Sequence, residues 1–229
     1  TSRGKWMDGW ETRRRRTPGF DWCVVKLGLR GIIHDVDVDT SHFIGNYPQY
    51  CSLEACDKPG VSLPSLKSLT DGQIVWTEIL SKSALKGGGS NPLFISDPRP
   101  WTHVRLNIFP DGGVARLRVH GTVVPDWDKL SKSKLVDLAA IENGGLAVTG
   151  SDMFFGHKNN LIMPGRSKNM GDGWETKRRR GPGFDWAILK LGAPGLIRKI
   201  EVDTNFFKGN YPDSCMIEGV YKPGGTGAE

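Results

Sequence analysis

The sequence predicts an all-β protein built from two tandem β-sandwich domains, and three observations predict it. Residues 8–60 recur as residues 172–224 without a gap, and 31 positions are identical. A repeat that long is the size of a domain and too large for one solenoid unit. The 229 residues include 30 Gly and 14 Pro, punctuation that suits many short strands joined by turns better than long helices. Several segments also alternate apolar and polar residues, as strands with one buried face do.

Each element follows from its residues in turn. Residues 1–21 form a polar, Arg-rich approach that ends in Pro18-Gly19. Residues 21–28 read as a strand stopped by Gly28. Residues 31–40 are the clearest strand, with Val36 and Val38 on one face and Asp35, Asp37 and Asp39 on the other. Residues 41–50 are a loop containing Gly45-Asn46-Tyr47-Pro48, and residues 51–56 are another short strand. After a polar connector, residues 73–80 read as a strand around Trp76, and residues 82–92 as a glycine-rich loop. Residues 102–109 and 114–121 read as a hairpin turned at Asp111-Gly112. Residues 135–141 suggest a short helix and residues 146–149 a short strand. The second copy then begins. The expected division is a first repeat at 1–124, a linker at 125–135 and a second repeat at 136–229.

Neither copy shows everything the other does. Nothing in the first corresponds to residues 136–164, and nothing in the second corresponds to residues 73–121. The expectation is that both domains are incomplete in this chain. Domains of about 165 residues would place about thirty more before Thr1 and about sixty after Glu229.

Composition narrows the function. The net charge is +6, with 25 acidic residues interleaved among 31 basic ones. Acids and prolines break both basic runs, and no recognition helix follows, which argues against nucleic-acid binding. No apolar run approaches about 18 residues, so no helical membrane span is expected. Residues 1–5 lack the apolar core of a signal peptide. Of the four cysteines, Cys23 and Cys56 become Ala187 and Val220 in the second copy, while Cys51 is repeated as Cys215. Cysteines that exchange with Ala or Val behave as small core residues, so a reducing compartment without a disulfide framework is expected, the cytoplasm or, as the alternative, the peroxisome.

The repeated string DGWET-[RK]-RRR-x-PGFDW, the string VDT-x-x-F-x-GNYP-x-x-C, and WTHVRLNIFPDGGVARLRVHG at residues 101–121 together resemble the allantoicase family. The likeness spans essentially the whole chain, tandem repeat included. It implies two jelly-roll β-sandwiches, assembly into a homo-oligomer, and hydrolysis of allantoate to ureidoglycolate and urea. Such a substrate carries one carboxylate and two ureido groups on a single carbon.

That chemistry selects residue types. A carboxylate is matched by guanidinium groups through paired hydrogen bonds. Ureido N–H groups need acceptors, and C–N cleavage needs a proton for the leaving nitrogen and a water activated to attack. The candidates for catalysis are Glu11, Asp21, Asp39 and His42. Those for substrate binding are Arg14, Arg15, Trp10, Trp22, Asn46, His103, Arg105 and Arg118. The second repeat offers Trp174, Glu175, Arg178, Arg179, Asp185, Asp203 and Asn210. The same acids and arginines equally suit ion pairs that fix the mouth of the sandwich. His42 is replaced by Phe206 in the second copy, so it would mark the first as the active one. No H-x-H or H-x-x-x-H pair occurs, so no ligand spacing demands a metal, and no cofactor is required. The alternative function is a non-catalytic module for a small anionic or carbohydrate ligand, because a sandwich alone does not fix chemistry.

Overall fold

The structure is a computed structural model, and it describes residues 7–61, 74–127 and 135–222. The chain divides into two compact units, Thr1–Val124 and Pro125–Glu229.

In the first unit the order is β1 (Trp10–Glu11), β2 (Asp21–Asp39), β3 (Tyr50–Cys56), β4 (Thr77–Ala84), β5 (Pro92–Phe94), β6 (Pro100–Phe109), β7 (Gly113–Val114) and β8 (Arg116–Val123). The long β2 organises the sandwich. Its first half pairs antiparallel with β6, from Asp21 opposite Ile108 to Lys26 opposite His103. Its second half pairs with β8 on one side and β5 on the other. The β2–β6 register breaks between Lys26 and Gly31, where the strand passes from one layer to the next. Gly28 was expected to end a strand; it lies instead inside this bend. Gly31 has no room for a side chain, since a Cβ there would lie 2.6 Å from the Thr122 carbonyl oxygen.

One layer is therefore β4-β3-β6 with the first half of β2, and the other is β5, the second half of β2 and β8. Between them lie Ile33, Val36, Val38, Leu53, Val104, Leu106 and Ile108, all nearly inaccessible. The alternation at residues 35–39 holds. Val36 and Val38 face inward, while the three aspartates form a cross-strand ladder on the other face. His120 Nδ1 lies 2.6 Å from Asp35, and Arg118 lies 3.5 Å from Asp37 and 3.3 Å from Asp39. Such pairs stabilise a sheet by a few tenths to about 1 kcal/mol each.

The expected hairpin does not form. Both edges of β6 are already taken, by β2 and β3, so β8 has no edge of β6 to join. The Asp111-Gly112 turn instead crosses from one layer to the other. The strand expected at residues 73–80 is displaced to Thr77–Ala84, beyond Trp76, and residues 71–73 lie outside the described residues.

In the second unit β9 (Leu146–Gly150) pairs antiparallel with β10 (Ala187–Lys190). Three short 3₁₀ turns lie at Ile141–Asn143, Lys158–Ile162 and Met170–Asp172. The helix expected at residues 135–141 is reduced to the first of these, closed by Gly144 at φ 86°. Residues 191–222 form no strand.

The four cysteines are free. Cys51 and Cys56 are buried among apolar side chains, as small core residues are, and burial pushes the Cys51 thiol up to about 12. Among the described residues no helix is long and apolar enough to cross a membrane.

Candidate functional site

The site of the first unit is assembled around the turn at residues 111–113. Strand β1 pairs with β7, with Trp10 opposite Val114 and Glu11 opposite Gly113. Each residue of the turn then holds a different piece of the Arg-rich loop or of the Gly-Asn-Tyr-Pro loop. The Asp111 carboxylate accepts from Arg15 N at 2.7 Å. The Gly112 carbonyl accepts from Thr12 N at 3.0 Å, and Gly113 N donates to the Asn46 carbonyl at 2.8 Å. Three segments far apart in sequence thus meet at one edge of the sandwich.

Two polar pairs result. Asn46 Nδ2 donates to Glu11 Oε1 at 2.6 Å. Arg15 Nη2 donates to Asp21 Oδ1 at 2.7 Å, with both side chains more than two thirds buried. Burial alone would raise the Asp21 pKa. The hydrogen bonds from Arg15 and Thr12, with the charges of Arg15 and Arg13, outweigh it and hold the carboxyl below its ordinary 3.8. Asp21 is therefore a permanent acceptor near neutral pH. Arg15 is held against Gly19, whose φ of 142° is a backbone conformation suited to glycine. A Cβ there would lie 2.7 Å from Arg15 Nη1.

A second group adjoins the first through β1 and the end of β2. Asp39 Oδ1 accepts from Ser41 N at 2.8 Å and Oδ2 from Arg118 Nη1 at 3.3 Å. Its pKa is lowered, chiefly by Ser41 and then by Arg118. Asp8 pairs with Arg116 at 2.7 Å, and that guanidinium, followed by the charge of His42, lowers its pKa. His42 is exposed and carries φ 71°, a left-handed conformation that is rare without glycine.

The structure brings together Glu11, Arg15, Asp21 and Asn46, and beside them Asp39, His42 and Arg118. Arg14 is exposed and forms no ion pair among the described residues. The structure does not bring Trp10, His103 or Arg105 to this cluster. Trp10 packs against the apolar core, on the side of β1 away from Glu11. His103 is 1% exposed, with Nδ1 2.9 Å from Thr102 Oγ1. Burial, and then the charge of Lys26, lower its pKa. Arg105 pairs with Glu54 at 2.7 Å and lies over the Trp76 ring. Trp22 stands opposite Asn107 on the same sheet, next to the site's Asp21. Period-two reasoning put His103 and Arg105 on one face; it could not tell that this face is turned away from the loops.

Sequence reasoning missed Asp111, Thr12 and Arg116. The signal lies in Asp111-Gly112-Gly113, but an Asp-Gly pair between alternating runs equally signals a hairpin turn.

The second unit repeats the pairs. Asn210 Nδ2 donates to Glu175 Oε1 at 2.7 Å, and Arg179 Nη2 to Asp185 Oδ1 at 2.8 Å. Asp203 Oδ1 accepts from Asn205 N at 2.8 Å, and Phe206 carries φ 70° where His42 carries 71°. Arg166 bonds Asp203 at 2.6 Å, taking the place that Arg118 has beside Asp39. Trp174 Nε1 donates to the Asp152 carbonyl, and Arg178 is exposed. Among the described residues no group of three or more His, Cys, Asp or Glu side chains is placed to hold a metal ion.

Comparison with known proteins points one way. The family described as "Allantoicase repeat" matches residues 1–124 and 136–229. The chain is 53% identical to "Probable allantoicase 1" of Burkholderia mallei, covering 97% of this chain and 64% of that protein. It is 52% identical to "Allantoicase" of Dictyostelium discoideum, covering 95% and 58%. The crystal structure of allantoicase from Saccharomyces cerevisiae superposes with a TM-score of 0.66 at 37% identity, covering 83% of this chain and 58% of that one. The chain spans less than two thirds of the length of these relatives.

Proposed function

This chain belongs to the allantoicase family, and from that premise we propose that the protein hydrolyses allantoate to ureidoglycolate and urea, using the loop cluster of its repeats. The observation that carries the reading is the pairing of Glu11 with Asn46 and of Arg15 with Asp21, reproduced as Glu175 with Asn210 and Arg179 with Asp185.

The chemistry follows from those groups. Arg14, exposed and forming no ion pair among the described residues, receives the substrate carboxylate, and Arg15 adds positive field from its fixed seat. Asp21, kept ionised by Arg15 and Thr12, accepts ureido N–H groups. Glu11 is the acid–base group. As a carboxylate it takes a proton from the attacking water, and as a carboxylic acid it returns one to the departing nitrogen. Asn46 holds it by a donated hydrogen bond, which leaves its second oxygen for that exchange. Water's oxygen bonds to the central carbon, the C–N bond breaks, and urea leaves with the proton. Each such transfer contributes about 10²–10⁴-fold. His42 and Asp39 flank this group in the first unit and complete its candidate set. Trp22, which shares its face of the sheet with Asn107 and Arg105, stays outside this set. A homo-oligomer is the assembly expected on this reading.

The test is direct. Incubation with allantoate should release urea and ureidoglycolate in equal amounts, and Glu11→Gln should abolish most of that release. Urea release unchanged by that substitution would remove Glu11 from the reaction. No urea from the wild-type protein would sink the assignment.

A further inference from the structure

Phe43 is fully buried, yet it stands outside the contiguous core formed by the strands. Its ring occupies space left by absent side chains. A Cβ on Gly9, just before β1, would lie 2.8 Å from Phe43 Cε2, and a Cβ on Gly113 would lie 1.9 Å from Phe43 Cδ1 and 2.1 Å from Cε1. Gly113 is the residue opposite Glu11 in the β1–β7 pair. On the other side of that turn, a Cβ on Gly112 would lie 2.6 Å from Pro48 N and 2.7 Å from the Asn46 carbonyl oxygen. The two glycines are thus pressed between the Phe43 ring and the backbone of residues 46–48. Phe43 is delivered by a tight turn, with its N–H donating to Thr40 at 2.9 Å and His42 before it at φ 71°.

The second unit repeats the contact in different surroundings. Phe207 follows Phe206 at φ 70°, and its N–H donates to Thr204 at 3.0 Å. A Cβ on Gly173, which precedes Trp174 and Glu175, would lie 2.5 Å from the Phe207 ring. Most of the sheet around it is different, but the ring on the glycine and the Glu175–Asn210 hydrogen bond both recur. The contact therefore travels with the polar pair and not with the core.

We propose that Phe43 is a positioning residue: its ring sets the spacing between the strand pair that carries Glu11 and the loop that carries Asn46, and so holds the hydrogen bond between them. This rests on the reading that Glu11 serves the reaction. Phe207 does the same for Glu175 and Asn210. The glycines are required because the gauge is a ring against bare backbone, and a methyl group at either place widens the gap. Displacement of an acid–base group by about 1 Å can cost about 10²-fold in rate.

The test is a double-mutant cycle on the protein with Gly113→Ala, Phe43→Leu and both together. It reads kcat and KM for urea release from allantoate, the melting curve, and the Asn46 side-chain amide resonance, identified by its loss in Asn46→Asp. Each single change should lower kcat about tenfold or more with KM within about threefold, and should shift the Asn46 amide. The double variant should regain kcat and the wild-type resonance, because leucine vacates the space the methyl takes. Additive losses, or an Asn46 amide that stays in place in all three, would overturn the proposal. Losses that follow only the melting temperature would do the same. If Phe43→Leu does not fold, Phe43→Met supplies the same cycle; if Gly113→Ala does not fold alone, recovery of the fold and of the Asn46 amide in the double variant supports the proposal, and failure to recover overturns it. If the wild type releases no urea, the proposed function fails by itself. The Asn46 amide then still decides: restored in the double variant it supports the gauge, and not restored it overturns it.

Discussion

Residues 31–39 and residues 195–203 occupy the same place in the repeat, yet only the first form a strand. Val36 and Val38 are inaccessible; their counterparts Ile200 and Val202 are 50% and 53% exposed. The sequences do not explain this, for both alternate apolar and polar residues. Ladder partners do. Residues 33–39 pair with β8 on one side and β5 on the other, and no counterpart of either exists among the described residues of the second unit. The loops behave oppositely. The Glu–Asn pair, the Arg–Asp pair and the left-handed residue after Asp-Thr are alike in both units. Contacts encoded wholly inside the repeated segment recur; those that need strands outside it do not. A strand is a relation between segments, while a well-capped loop carries its own hydrogen bonds.

The sharpest way to break that comparison is catalytic. Glu11→Gln should lower the turnover of allantoate by about 10²–10⁴-fold. Glu175→Gln should leave turnover nearly unchanged, because a loss of 10²-fold or more in Glu11→Gln leaves the second unit, with Phe206 in place of His42, about one part in 10² of the activity. Steady-state urea release by the two variants checks both. Equal losses would mean that the loop pairs alone, without His42, define an active unit.

The next effect is on stability. Leu53→Ala removes a side chain that is 0% exposed in the first core and should cost about 2–5 kcal/mol. Its counterpart Ile217 is 57% exposed, and Ile217→Ala should stay within about 0.5 kcal/mol. Denaturant unfolding measures both. A large loss from Ile217→Ala would mean that this side chain is covered in solution.

These residues also show how far the sequence could be read. Alternation at residues 31–40 predicted the strand and its buried face, because a period of two follows from local geometry alone. The same alternation at residues 195–203 forms no strand, because pairing is not local. The hairpin at residues 102–121 failed for the same reason: the turn residues were right, but the edges of β6 were taken. At the site, Glu11, Arg15, Asp21 and Asn46 were legible as chemistry in a repeated loop. Asp111 and Arg116 were not, because only the crossing between layers brings them there.

Glycine offers a smaller contrast. Gly19 at φ 142° and Gly183 at φ 121° have backbone that alanine adopts only with strain, worth about 1–3 kcal/mol. The first should suffer more on substitution, since its Cβ would lie 2.7 Å from Arg15 Nη1, against 3.3 Å from Arg179 Nη1 for the second. Gly19→Ala should therefore also impair allantoate turnover. Melting curves and urea release on the two variants separate strain, common to both, from displacement of the arginine.

The smallest effect expected is the titration of Asp21 and Asp185, and it tests whether the two arginines do the same work. Burial acts to raise Asp21, and hydrogen bonds from Arg15 and Thr12 bring it below 3.8. At Asp185 the Arg179 hydrogen bond is the leading cause, against a smaller effect of burial. A carboxyl whose folded pKa lies below its unfolded value binds fewer protons folded than unfolded. Its stabilisation is thus complete above the unfolded pKa and is lost as pH falls through the folded one. Both aspartates should therefore leave stability flat from neutral pH down to about 5, with a decline only in acid. Removing the arginine should reverse the sign at one site more than at the other. In Arg15→Ala, burial at Asp21 is left with less to oppose it, so the carboxyl should climb toward or past 3.8, and the part of the acid decline that Asp21 supplies should shrink, vanish at 3.8 and reverse beyond it. In Arg179→Ala, Asp185 keeps its hydrogen bond from Ser151 Oγ at 2.9 Å and should rise less. Carboxyl carbon shifts followed by NMR across pH 2–6 read each group separately. A larger rise at Asp185 than at Asp21 would show that the first-unit aspartate owes its ionisation to Thr12 and the backbone around it, and not to its arginine.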